Sequence, residues 1–180
     1  MALRSPSFRR SRGAEVGARR VSIQTEDFDV SHEVRAVREQ DLGVGAVTSF
    51  VGTVRDRLGG AAADPGAAVQ RLELEHYPGM TEAAIEAMID QAFARFDIRA
   101  TRVIHRVGPL DPGEQIVLVV VASAHRGESF KACEFLMDYL KTQAPFWKKE
   151  HTPRGAHWVD ARVSDDKALA RWGIVAPNAS

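Results

Sequence analysis

The residues of this sequence best equipped for chemistry fall in four stretches. SAHRGESF, Ser123 to Phe130, follows an apolar run and opens a helix-like pattern, so His125 and Arg126 are expected near a helix N-terminus. Free backbone N–H groups and the helix dipole favour an anion there, and a guanidinium fork beside an imidazole suits a phosphate. LKTQAPFWKKE, Leu140 to Glu150, sets Lys141 and Lys148 on either side of Ala144, Pro145, Phe146 and Trp147. A lysine held against apolar and aromatic surface is partly desolvated, which disfavours its charged form and frees the amine as nucleophile or base. FVGTVR, Phe50 to Arg55, ends a strand-like run on a cation, and Gly52 inside it signals a bulge or a close backbone approach. HWVDAR, His157 to Arg162, adds Trp158 as a core or interface residue and Arg162 as a further cation. Taken alone, each stretch has a plainer and stronger account: solvated surface for His125 and Arg126, core aromatics with solvated lysines at their ends, and arginines that merely finish strands.

Several other chemistries are excluded. Gly59-Gly60 is too sparse and wrongly placed for a phosphate loop ahead of a helix. His76, His105, His125, His151 and His157 show no metal-ligand spacing. Ser123 near His125 has neither an acid partner nor a nucleophile elbow. The single cysteine, Cys133, cannot form an intrachain disulfide, which fits a reducing, cytoplasmic setting. It sits among apolar residues at helical spacing and reads as a small buried hydrophobe.

The elements that must carry these residues follow from periodicity. Residues 21–30 read as a short strand and its exit, followed by a helix capped by Ser31 and running to about Glu39. Gly43 to Arg55 reads as a strand, 59–68 as a mobile loop, and Arg71 to His76 as a half-exposed strand with Leu72 and Leu74 on one face. Thr81 opens a helix whose apolar stripe is Ile85, Met88, Ile89, Ala92, Phe93 and Phe96. Thr101 to Val107 is a strand, Pro109 to Gly113 a turn, and Ile116 to Ala122, apolar on both faces, a central strand. Ser129 to Lys141 is helical, with Phe130, Cys133, Met137 and Leu140 on one side, and Pro145 stops it. His157 to Val163 forms a last strand. Strands and helices mix without a regular βαβ rhythm, which predicts an α+β fold with a mainly antiparallel sheet.

The 180 residues suit one domain with a real core, and 44% hydrophobic with 27% charged residues is the balance of a soluble globular protein. No stretch approaches a membrane-spanning length. Net charge is zero but unevenly placed: residues 1–20 hold six arginines against Glu15, so the remainder is mildly acidic and any cationic cluster in it is local. That Arg- and Ser-rich start has features of an organelle transit peptide, but without an amphipathic period it reads as a disordered extension.

In this order, GAVTSFVGTVR (Gly45–Arg55), LELEHYPGMTE (Leu72–Glu82), IHRVGPLDPGE (Ile104–Glu114), SAHRGESF (Ser123–Phe130) and MDYLKTQAPFWKKEHTPRGAHWVDAR (Met137–Arg162) resemble the MoaE family, the large subunits of molybdopterin synthase. The resemblance covers roughly 21–172, leaving 1–20 and 173–180 as flanking tails. It implies an α/β hammerhead-type fold with an additional antiparallel β subdomain. It implies sulfur transfer to cyclic pyranopterin monophosphate (precursor Z), forming the dithiolene of molybdopterin. The sulfur donor would be the C-terminal Gly-Gly thiocarboxylate of a small ubiquitin-like subunit of MoaD type, bound to each member of a central homodimer to make a heterotetramer. Carried onto this sequence, Lys141 and Lys148 are the expected catalytic lysines. Thr53, Val54, Arg55, His125, Arg126, Lys149 and Glu150 are expected to bind substrate, and Arg162 to reach the pocket of the other large subunit. No cofactor or metal is expected for this step, since molybdenum is added later by other proteins.

Three rival readings have their own signatures. A non-catalytic scaffold of the same fold would be favoured by loss of Lys141 or Lys148, and both are present. A nucleic-acid module would need aromatics interleaved in the Arg-rich tail, which offers only Phe8. A phosphatase-like enzyme using Arg126 and His125 would act without a protein partner.

Overall fold

The computed structural model describes residues 19–56, 68–159 and 171–173. The expected extension at 1–20 lies almost wholly outside them, as do most of the loop at 59–68, Arg162, and the tail beyond 173.

Two four-stranded sheets and three helices make up the described chain. The first sheet takes β1 (Val21–Gln24), β2 (Ala46–Thr53), β4 (Ile98–Arg106) and β6 (Gln115–Ser123) in the order β1-β4-β6-β2. Pairing is antiparallel except between β1 and β4. The second sheet takes β3 (Arg71–His76), β5 (Gly108–Leu110), β7 (Phe146–Thr152) and β8 (Gly155–Val159) in the order β5-β3-β7-β8, antiparallel throughout. The helices are α1 (Val30–Arg38), α2 (Met80–Arg95) and α3 (Arg126–Thr142).

β6 is apolar on both faces because both faces are covered. Val117, Val119 and Val121 join residues of α2 and α3 such as Ile85, Met88, Phe135 and Leu136 in one core layer. Leu118, Val120 and Ala122 join Val37 of α1 and Phe28 in a second layer on the opposite side. A third, smaller cluster of Val54, Leu72, Leu74 and Leu110 seats the second sheet against the exit of β2. The central strand and the α+β class are therefore as expected. Among the described residues no helix is long and apolar enough to cross a membrane.

Local details depart from expectation for identifiable reasons. Helix α1 is capped by Asp29, whose carboxylate accepts the His32 amide at 3.0 Å, rather than by Ser31. A glycine at φ 81°, Gly79, precedes α2, so the helix opens one residue before Thr81. Phe93 and Phe130, assigned to apolar stripes, are 37% and 61% exposed, at the edges of their helices. Trp158 is 52% exposed and so is no core residue of this chain. The strand β7 carries no strand signal in its sequence: its run WKKEH is too charged to suggest one, and Pro145 before it reads only as a stop.

Candidate active site

The two lysines sit on different bodies of the fold. Lys141 occupies the last turn of α3, exposed, while the neighbouring Leu140 is buried. The helix ends at Thr142. The Gln143 amide still closes on Tyr139 at 2.8 Å, and the chain then turns through Ala144 and Pro145 into β7. Lys148 lies within β7, and its Nζ is 2.8 Å from Glu150 Oε1. Residues two apart share a strand face, so Phe146, Lys148 and Glu150 look to one side. Lys149 looks to the other, its ammonium 5.3 Å from the centroid of the Trp158 ring. Lys149 and Glu150, both expected to bind substrate, thus lie on opposite faces of β7.

Glu150 is the unusual member. It is 4% exposed, yet its Oε2 has no hydrogen-bond partner among the described residues, and His157 Nε2 stands 3.8 Å away. A buried carboxylate oxygen without a donor is costly, and one is held here directly beside Lys148. Lys148 is therefore set against a carboxylate as well as against the apolar and aromatic residues around it. Nothing in the composition of KKE announces this, although Lys148 and Glu150 at spacing two on a strand would have suggested it.

Thr53, Val54 and Arg55 leave β2 at a bulge. The register shifts between Gly52 and Thr53, and a Cβ on Gly52 would come within 2.7 Å of Val117 Cγ1, so both readings of that glycine hold. Val54 is locked by its amide to Glu114 O (2.9 Å) and by Gly113 N to its own carbonyl (2.9 Å). Its side chain is buried in the Leu72, Leu74, Leu110 cluster, so only its backbone is available to line a pocket. Thr53 and Arg55 are exposed. Glu114 is itself held by the buried Arg106, whose guanidinium also donates to Thr25 O and Gln115 O.

His125 is the residue before α3, and Arg126 its first; both are exposed. Ser123 is fully buried and donates to His125 O at 2.6 Å, which ties it into the strand end and leaves no nucleophile there. Most described arginines are engaged: Arg20 with Glu86 and Asp90, Arg71 with Asp111, Arg102 with Glu33, Arg171 with Asp138. Arg55, Arg126 and Lys141 have no ion-pair partner among the described residues, a property they share with Arg35 on α1.

The register decides which of these residues meet. β2 and β6 run antiparallel, with Ala46 opposite Ser123 and Thr53 opposite Gln115. Arg55 is thus at the start of β6 and His125 just beyond its end, about 23 Å away for seven residues of strand. Helix α3 begins at the His125 end, and its 17 residues carry Lys141 back about 25 Å. One end of the first sheet therefore gathers Arg55, Lys141 and, through β7, Lys148 and Glu150. The other end carries His125 and Arg126. Within one chain, then, the register sets Arg55 and the His125–Arg126 pair toward opposite ends of the first sheet.

Cys133 is buried in the main core layer, and burial pushes its thiol up to about 11, so it is inert packing, as read from its neighbours. Among the described residues no group of three or more His, Cys, Asp or Glu is placed to hold a metal ion.

Comparison with known proteins places this arrangement. A family model described as MoaE protein matches residues 23–143. A molybdopterin synthase catalytic subunit of Ralstonia nicotianae is 58% identical over 160 residues, 89% of this chain and 88% of the relative. One of Vibrio cholerae serotype O1 is 52% identical, over 85% of this chain and 97% of the relative. The solved structure of a molybdopterin biosynthesis MoaE protein from Burkholderia ambifaria MC40-6 superposes with a TM-score of 0.72 at 52% identity, covering 86% of this chain and 97% of that one.

Proposed function

The chain belongs to the MoaE family, and from that premise we propose that it is the catalytic subunit of a molybdopterin synthase. It transfers sulfur from the thiocarboxylated Gly-Gly C-terminus of a small ubiquitin-like partner to cyclic pyranopterin monophosphate, making the dithiolene. What supports this reading is the Lys148–Glu150 pair on β7, with helix length and strand register directing Lys141 and Arg55 toward the same end of the first sheet. On this reading the first sheet with its helices is the α/β hammerhead, and the second sheet is the added antiparallel subdomain.

Chemically, Lys141 lies beside the incoming thiocarboxylate, where it stabilises developing charge or traps the acyl group. Lys148 assists proton transfer at the carbons that receive sulfur. Glu150 holds the Lys148 side chain in place from its buried position on the same strand face. Thr53 and Arg55 face the same pocket, with Val54 contributing backbone.

His125 and Arg126 then act in the pocket of a second copy. They stand about 23 Å from Arg55 in their own chain, yet an exposed cation pair at a helix N-terminus suits the substrate's phosphate. A two-fold dimer brings the His125 end of one chain to the Lys141 end of the other twice over. Arg162 is assigned to the same crossing. The functional unit is a homodimer flanked by two small subunits. The test is single-turnover conversion of precursor Z with a thiocarboxylated small subunit, reading dithiolene. Phosphate release from small esters without any partner would instead favour a phosphatase.

A further inference from the structure

The stretch IHRVGPLDPGE carries no residue of the proposed chemistry, yet it lies at the end of the first sheet where the lysines gather. His105 sits on β4 opposite Ile23 and Val117, facing the core layer of α2 and α3. Its ring lies on that of Phe146, with centroids 3.8 Å apart and planes 18° from parallel. Phe146 is the first residue of β7 and shares a strand face with Lys148. It also stands opposite His76, the last residue of β3.

Lys141 rides on α3, packed on the first sheet, whereas Lys148 rides on β7, in the second. Their relative placement depends on how the second sheet is fixed to the first across the short link Gln143–Pro145. One tie there is a hydrogen bond from Thr81 Oγ1 to Pro145 O at 3.3 Å. Another is the stack of His105 on Phe146. The His105 ring is itself fixed in rotation: Nδ1 lies 2.8 Å from Arg106 O, and because a carbonyl only accepts, Nδ1 carries the proton. Burial lowers its pKa to about 4, so a neutral ring enters the apolar layer.

We propose that His105 is a positioning residue for sulfur transfer, acting through its stack on Phe146 to hold the Lys148 strand against the Lys141 helix. The inference rests on the reading that both lysines serve one reaction.

The test compares variants in the complete complex with the thiocarboxylated partner. His105→Asn keeps a donor near Arg106 O but removes the ring; His105→Phe keeps the ring and removes the donor. Displacing a reacting group by about 1 Å costs up to about a hundredfold in rate. His105→Asn should therefore lower kcat roughly ten- to a hundredfold, with KM for the pterin and binding of the partner unchanged, while His105→Phe stays within about threefold of wild type. Phe146→Leu removes the same stack from the other side, should match the asparagine variant, and serves if that variant fails to fold. A folded ring-less variant turning over at the wild-type kcat, or a phenylalanine variant as slow as the asparagine one, would overturn the proposal. Lys141→Ala and Lys148→Ala in the same assay separate the two levels. If both lysine variants work normally, the shared-site reading fails; if they are inactive while His105→Asn is not, only the role of His105 fails.

Discussion

Replacing Glu150 by glutamine is the most informative single change in the Lys148 strand. The ion pair spans 2.8 Å, but the Lys148 side chain is 36% exposed against 6% for Glu150, so solvent screens it. Its contribution is about 1.5 kcal/mol, the low end for a hydrogen bond to a charged group. Against this, the wild-type carboxylate buries an Oε2 without a hydrogen-bond partner. Removing that charge returns about 1 kcal/mol. The two nearly cancel, so the variant should melt within about 4 °C of wild type. Activity should not be spared. Losing about 1.5 kcal/mol of restraint on the Lys148 ammonium corresponds to about a tenfold fall in kcat. Differential scanning calorimetry and single-turnover dithiolene formation on the same preparation decide it. An active variant of unchanged rate would show that Lys148 needs no anchor. A loss of more than about 3 kcal/mol of stability would show that Glu150 serves the fold, as removing one partner of a truly buried pair does.

Two further outcomes follow from the same geometry. Lys141→Ala should keep the fold and the partner complex, because the side chain is exposed at a helix end, but should abolish most dithiolene formation. Lys141→Arg should not restore it, since a guanidinium stays protonated; an alanine variant at near the wild-type rate would shift the burden to Lys148. The His105 pKa of about 4 lies below its ordinary 6.5, so the unfolded chain binds the extra proton between those values. The corresponding stability is present above pH 6.5 and is lost as pH falls toward about 4. The difference in melting temperature between wild type and His105→Phe should therefore change across that window, and a constant difference would contradict the neutral, half-buried ring.

The central strand was legible because a run apolar on both faces has one common explanation, burial on both sides, and Val117 to Ala122 has it. The helices were legible from their stripes, though Phe93 and Phe130 show that a stripe read at 3.6 residues per turn overextends where a helix face meets the edge of its layer. The bulge at Gly52 was readable for a local reason, a glycine inside a β-branched run. Charged β7 was not, because its pairing with β3 and β8 rather than its own composition makes it a strand. The Lys148–Glu150 contact was hidden for the same reason. The relative placement of the cations was not legible either: sequence shows that Arg55, His125 and Arg126 exist, but only the antiparallel register of β2 on β6 sets Arg55 and His125 toward opposite ends of the first sheet.

That separation makes the central claim directly measurable by mixing two inactive proteins. One carries Lys141→Ala with Lys148→Ala, the other His125→Ala with Arg126→Ala. If each pocket draws its lysines from one chain and its phosphate cations from the other, a heterodimer of the two variants holds one fully intact pocket. Random pairing in a two-fold dimer should then restore about one quarter of wild-type dithiolene formation. If each chain instead builds its own complete site, the mixture will be no more active than its inactive parents, and the composite pocket is wrong.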